Sequence, residues 1–194
     1  MQSICVYCGS SDKSDSVYLQ AAQHTGQVIA NNDLRLIYGG GSTGMMGALA
    51  NGVLEAGGKV TGVITEQFNT PQLAHAGLTD MVVLKDMHER KARMVALADG
   101  FIALPGGFGT LDELFEVLTW AQIGLHTKPV GLLNVEGYFD RLLEFLDNVQ
   151  TKGFVYAEHR KLYTTADSPQ DLLTTLKAYR PPDQLARWVD RTST

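Results

Sequence analysis

Cysteine is nearly absent from this 194-residue chain: only Cys5 and Cys8 occur. Two thiols cannot build a disulfide framework. Their C-x-x-C spacing on a strand turns them to opposite faces, so a redox or metal pair is not expected. Basic charge is scarce too, with 16 Lys and Arg against 21 Asp and Glu for a net charge of −5. Without a basic excess there is nothing to neutralise many phosphates, so a nucleic-acid binder or membrane-surface protein is not expected. No apolar run approaches the roughly 18 residues of a membrane span, and no basic-then-apolar leader is evident. The expected location is the cytoplasm. The five histidines fall into no metal-ligand spacing, so no metal site is expected. No Gly-Lys-Ser/Thr follows any glycine loop, so a P-loop NTPase is not expected.

What is present is a hydrophobic fraction of 44% with 19% charged residues, the balance of a globular domain. Strand-like runs alternate with helical patterns. The strands are expected at 3–8, 34–38, 59–64, 79–84, 101–104 and 128–134, with a short one near Leu162. Helices are expected at 16–31, 45–56, 87–98 (capped by Asp86), 111–123, 138–152 and 169–179. This alternation implies an α/β fold: an open parallel sheet with helices on both faces. Residues 1–180 form one domain, and 181–194, opened by Pro181-Pro182, a tail on which Trp188 is the residue able to dock. In such sheets ligands bind beyond the carboxyl ends of the strands.

Two glycine turns follow strands and so belong at that edge. The first, Gly39-x-Gly41-x-x-Gly44, matches the dinucleotide fingerprint, with Glu66 at the distance of a ribose-binding acid. It follows the second strand rather than the first, and the chain is short for a cofactor domain plus a catalytic one. The alternatives are a turn for helix packing and one wall of a nucleotide pocket; the latter is preferred.

The second turn lies in Phe101-Ile-Ala-Leu-Pro-Gly-Gly-Phe-Gly-Thr-Leu-Asp-Glu113. Gly106, Gly107 and Gly109 let a ligand approach the backbone. Thr110 is placed to cap the following helix or to bind an anion at its positive end. Glu113 lies one turn further on the same face. A phosphate anchor beside a carboxylate points to an enzyme acting on a phosphorylated metabolite. Just upstream, Asp86-Met-His-Glu-Arg-Lys-Ala-Arg-Met94 puts Arg90, Arg93 and Met94 on one helix face, with Lys91 expected to point elsewhere. Read alone, this is a solvated charged helix with Glu89 paired to Arg93; beside a phosphate site, an arginine here could grip the anion.

Met87-His-Glu-Arg-Lys91 followed by Pro105-Gly-Gly-Phe-Gly-Thr-Leu-Asp-Glu113 resembles the LOG ("Lonely guy") family of cytokinin riboside 5′-monophosphate phosphoribohydrolases, whose pattern P-G-G-x-G-T-x-x-E is matched at every fixed position. The likeness also takes in Ile4–Ser10, Tyr38–Gly41, Thr119-Trp-x-Gln122, Lys128–Asn134, Gly137-Tyr138 and Gly153-Phe154. It implies a Rossmann-like fold, a homodimer, no cofactor, and hydrolysis of the N-glycosidic bond of an N6-modified AMP to a free base and ribose 5-phosphate. By the same resemblance Arg90 and Glu113 are catalytic. The substrate-binding set is Gly9, Ser10, Gly40, Gly41, Met87, Lys91, Arg93, Gly106, Gly107, Phe108, Gly109, Thr110, Leu111, Asp112 and Thr119. One departure is Gln72, where relatives usually carry Glu. The rival classes are a pyridoxal-phosphate lysine decarboxylase, for which Lys91 would be the only lysine near the motifs, and a nucleotide-binding module without catalysis.

Overall fold

The centre of the protein is a seven-stranded, all-parallel sheet in the order β4-β3-β2-β1-β5-β6-β7. The structure is a computed structural model that describes residues 1–182 and 185. The strands are β1 (Ser3–Tyr7), β2 (Arg35–Tyr38), β3 (Lys59–Thr65), β4 (Asp80–Leu84), β5 (Phe101–Ala103), β6 (Val130–Leu133) and β7 (Tyr163–Ala166). The helices are α1 (Ser16–Asn31), α2 (Gly44–Glu55), α3 (Met87–Leu97), α4 (Phe108–Gln122), α5 (Asp140–Thr151) and α6 (Pro169–Ala178). Short 3-10 turns occupy Glu66–Phe68, Val135–Gly137 and Ala157–Leu162.

The central strands are apolar without alternation because both faces are covered. One core layer sets Ile4, Val6, Leu36 and Ile102 against α1, α2 and α6. The other sets Cys5, Tyr7, Ile37, Phe101 and Leu132 against α3 and α4. Cys5 and Cys8 therefore sit in different layers, both as buried free thiols, and burial pushes both pKa values up. Strand alternation required this separation.

The chain runs outward from β1 to β4 at one edge, then α3 carries it back to the middle, where β5 pairs on the far side of β1. The reversal puts the switch point at β1 and β5, where a ligand crevice is expected in this architecture. Asp86 caps α3 by accepting from the amides of His88 (2.8 Å) and Glu89 (2.9 Å). Beyond α6, Leu185 is buried against Ala121 and Leu162. Trp188 lies outside the described residues.

Candidate active site

A cleft of about 670 Å³ opens at the carboxyl edge of the sheet. Its walls are the segments just beyond β1 (Cys8, Gly9, Ser10) and β2 (Gly39, Gly41), the start of α2 (Thr43, Met46), Ile64 of β3 and Phe68 of the 3-10 turn after it, Leu73, α3 (Met87, Arg90, Lys91) and the turn into α4 (Gly107 to Thr110, Asp112, Glu113). Phe108 projects from that turn with 94% of its surface exposed.

At the floor lies an ion pair. Arg90 Nη1 donates to Glu113 Oε1 at 2.9 Å, and each residue is only 7% exposed. Arg90 Nε donates to the carbonyl of Val63 at 2.9 Å, so β3 fixes the guanidinium plane. Gly39 makes room for it: a methyl group there would overlap Arg90 Nη2. Burial pushes the Glu113 pKa up, and the adjacent Arg90 offsets only part of that. Such a carboxylate is a candidate proton acceptor or cation stabiliser.

A second clip joins the same two helices. Lys91 Nζ meets Asp112 Oδ2 at 2.9 Å and Glu116 Oε1 at 3.0 Å. Although burial works against its charge, the hydrogen bonds that Lys91 donates to these two carboxylates hold its pKa up.

The turn into α4 starts three residues earlier than the sequence suggests. Gly107 is the N-cap and Phe108 the first helical residue, so Thr110 is not the cap. Glycines on either side of Phe108 disguised the first turn. Thr110 is instead buried in that turn, its hydroxyl against Gly106. Among the described residues, the first helical amide to donate to the backbone is that of Leu111, to Gly107 O at 3.1 Å. The residues that carry the amides ahead of it, Gly107 to Thr110, line the cleft at the positive end of α4.

A family model described as "Possible lysine decarboxylase" matches residues 46–176. The chain is 44% identical over 178 residues to cytokinin riboside 5′-monophosphate phosphoribohydrolase LOG5 of Arabidopsis thaliana, covering 92% of this chain and 78% of that protein. It is 45% identical over 179 residues to the probable cytokinin riboside 5′-monophosphate phosphoribohydrolase LOGL5 of Oryza sativa subsp. japonica, covering 92% and 73%. The chain belongs to the LOG family. Among solved structures, the molybdenum cofactor carrier protein of Chlamydomonas reinhardtii superposes with a TM-score of 0.70 at 23% identity, covering 92% of this chain and 99% of that one. The molybdenum cofactor binding protein of Rippkaea orientalis gives 0.69 at 24%, covering 92% and 97%. At these identities the likeness is one of fold.

Within this LOG-family cleft the expected residues divide. Gly9, Ser10, Gly41, Met87, Arg90, Lys91, Gly107, Phe108, Gly109, Thr110, Asp112 and Glu113 line it. Gly40, Gly106 and Leu111 stand behind the lining. Gly40 lies against Ile64 and Met81, Gly106 against Gly9 and Thr110, and Leu111 in the core. Arg93 is exposed on α3, away from the cleft, while Lys91 turns into it, reversing the expected faces. Met87, Arg90, Lys91 and Met94 follow the i, i+3, i+4, i+7 stripe, and Arg93 falls one step past its edge. The expected Glu89–Arg93 pair does not occur among the described ion pairs. Thr119 lies in a different hollow, between α4 and α5, with its hydroxyl donating to Phe115 O at 2.6 Å.

The loop of Gln72 straps the first glycine turn. Ser42 N donates to Leu73 O (2.8 Å) and His75 N to Gly40 O (2.9 Å), leaving Gln72 itself exposed. Cys8, Thr43, Met46, Ile64, Phe68 and Leu73 were missed as lining residues. Apolar side chains at strand ends carry no signal that separates a cleft wall from the core beneath it.

Proposed function

We propose that this chain hydrolyses the N-glycosidic bond of an N6-substituted adenosine 5′-monophosphate, releasing the free cytokinin base and ribose 5-phosphate. The observation that carries the reading is the buried Arg90–Glu113 pair, one helical turn below the amides of the 106–110 turn. Those amides hold the 5′-phosphate at the positive end of α4. The sugar then lies over Glu113, whose carboxylate stabilises positive charge developing at C1′ or takes a proton from the attacking water. Arg90 stays charged and is a poor proton donor; it positions Glu113 and offsets charge elsewhere in the transition state. Phosphate binding far from the broken bond supplies orienting energy. Met46, Ile64, Phe68, Leu73 and Met87 give the cleft an apolar side suited to the base and its substituent.

The lyase reading asks Lys91 to be a Schiff-base amine, which requires a depressed pKa. Its two carboxylate partners push the other way. The relatives named above support the hydrolase reading.

The active unit in this proposal is a homodimer in the cytoplasm. In support, Phe115, Phe145, Phe154 and Tyr156 are exposed around the α4–α5 side of the chain, and the hollow there holds Thr119. Thr119 thus reaches substrate only through a partner subunit. Buried free thiols suit a reducing compartment.

The test is incubation with AMP and with isopentenyladenosine monophosphate, followed by chromatography of the released base. Release from the prenylated nucleotide is expected, and Glu113→Gln should lower kcat by about 10²- to 10⁴-fold with nucleotide affinity largely kept. No base from either nucleotide would leave a binding module as the reading; undiminished kcat in the variant would remove Glu113 from its role.

A further inference from the structure

Tyr138 lies outside the cleft, yet its hydroxyl donates to the carbonyl of Gly106 at 2.7 Å. The turn that presents it is over-determined. Glu136 is held in the left-handed region (φ 51°, ψ 32°) and is followed by Gly137 at φ 68°. Asn134 clamps the turn from both ends: its Oδ1 accepts from Phe139 N at 2.8 Å, and its Nδ2 donates to Asp140 Oδ1 at 2.7 Å. The Tyr138 ring meets Tyr18 of α1 edge-on at 5.8 Å and Phe139 at 5.1 Å. A glutamate in a left-handed conformation is unfavourable and persists only where the surroundings impose it.

A peptide unit is planar and trans, so its carbonyl and amide point in opposite directions. By engaging Gly106 C=O, Tyr138 fixes the direction of the Gly107 N–H. The preceding peptide is fixed as well, since Pro105 O accepts from Gly9 N at 3.0 Å. Without the tyrosine, a peptide between two glycines would rotate easily. Gly107 lines the cleft, and among the described residues its amide has no backbone acceptor, like the others ahead of Leu111 N.

We infer that Tyr138 is a positioning residue that aims the Gly107 amide at the substrate's 5′-phosphate, and so sets the preference for a nucleotide over the unphosphorylated nucleoside. This rests on the phosphate reading of the 106–110 turn. Tyr138→Phe keeps the ring and its edge contacts and removes only the hydroxyl.

The experiment measures inhibition by ribose 5-phosphate and by ribose, together with kcat, KM and the thermal midpoint, for wild type and variant. Wild type should bind ribose 5-phosphate far better than ribose. In the variant the ribose 5-phosphate affinity should fall about five- to ten-fold, with a matching rise in KM. Its kcat should stay within about two-fold and inhibition by ribose should not move. Equal losses for both sugars, or a lowered midpoint with ribose 5-phosphate affinity intact, would overturn the inference. If wild type itself does not discriminate between the two sugars, the phosphate reading fails and takes this role with it. If wild type discriminates and the variant does so equally, only the role of Tyr138 fails.

Discussion

Gly39 shows how a small residue can serve a large one. It stands in a loop that reads as a phosphate-binding signature, yet what its missing side chain accommodates is the Arg90 guanidinium. Gly39→Ala should displace Arg90 and lower kcat/KM by about 10- to 100-fold, since small misplacements near reacting groups are costly. The same change in an Arg90→Ala background should add little, because there is then nothing to displace; a double-mutant cycle on nucleotide affinity and turnover checks this. The acid limb of the pH–rate profile belongs to the same pair. In the proposed mechanism Glu113 works ionised, and its pKa is raised, chiefly by burial. Activity should therefore be lost, as pH falls, at a higher pH than for an ordinary carboxylate. Arg90 favours the ionised form, so Arg90→Gln should move that limb further up. A limb due to the substrate phosphate would stay in place, which separates the two in kcat/KM measurements.

At the scale of elements, α3 and α4 form the working unit, joined by Arg90–Glu113 and by Lys91 with Asp112 and Glu116. The position of α3 depends on its start. Asp86→Ala removes the acceptor for two amides and should cost about 1 kcal/mol in urea unfolding, whereas Asp86→Asn should cost much less. Most elements were legible because apolar runs alternate with helical spacing: α1 spans the expected 16–31, and six strands fall within a few residues of their expected bounds. The strand near Leu162 begins one residue later, at Tyr163. What was not legible depends on packing across elements. Lys91 turns inward because carboxylates on α4, twenty-one and twenty-five residues further along the chain, wait for it. Tyr138 carries no local sign that it reaches a carbonyl 32 residues back. The early start of α4 was hidden by glycines that intrinsic preference assigns to a turn.

For the whole molecule, the exposed aromatic side chains beside α4 and α5 predict self-association. Sedimentation should give the mass of two chains, and Phe145→Asp should shift the equilibrium toward single chains with reduced activity, since the hollow holding Thr119 lies on that face. A single-chain species with full activity would show that no partner completes the site. Helix α3 is also the connection that returns the chain from the sheet's outer edge to its middle. Arg90 therefore arrives with the first half of the polypeptide and Glu113 with the second, and neither half holds both charges. On the roles proposed for this pair, turnover becomes a read-out of completed folding: a nascent or cleaved chain that has organised only its first four strands should be catalytically silent, and regained activity after dilution from denaturant should time the docking of the two halves.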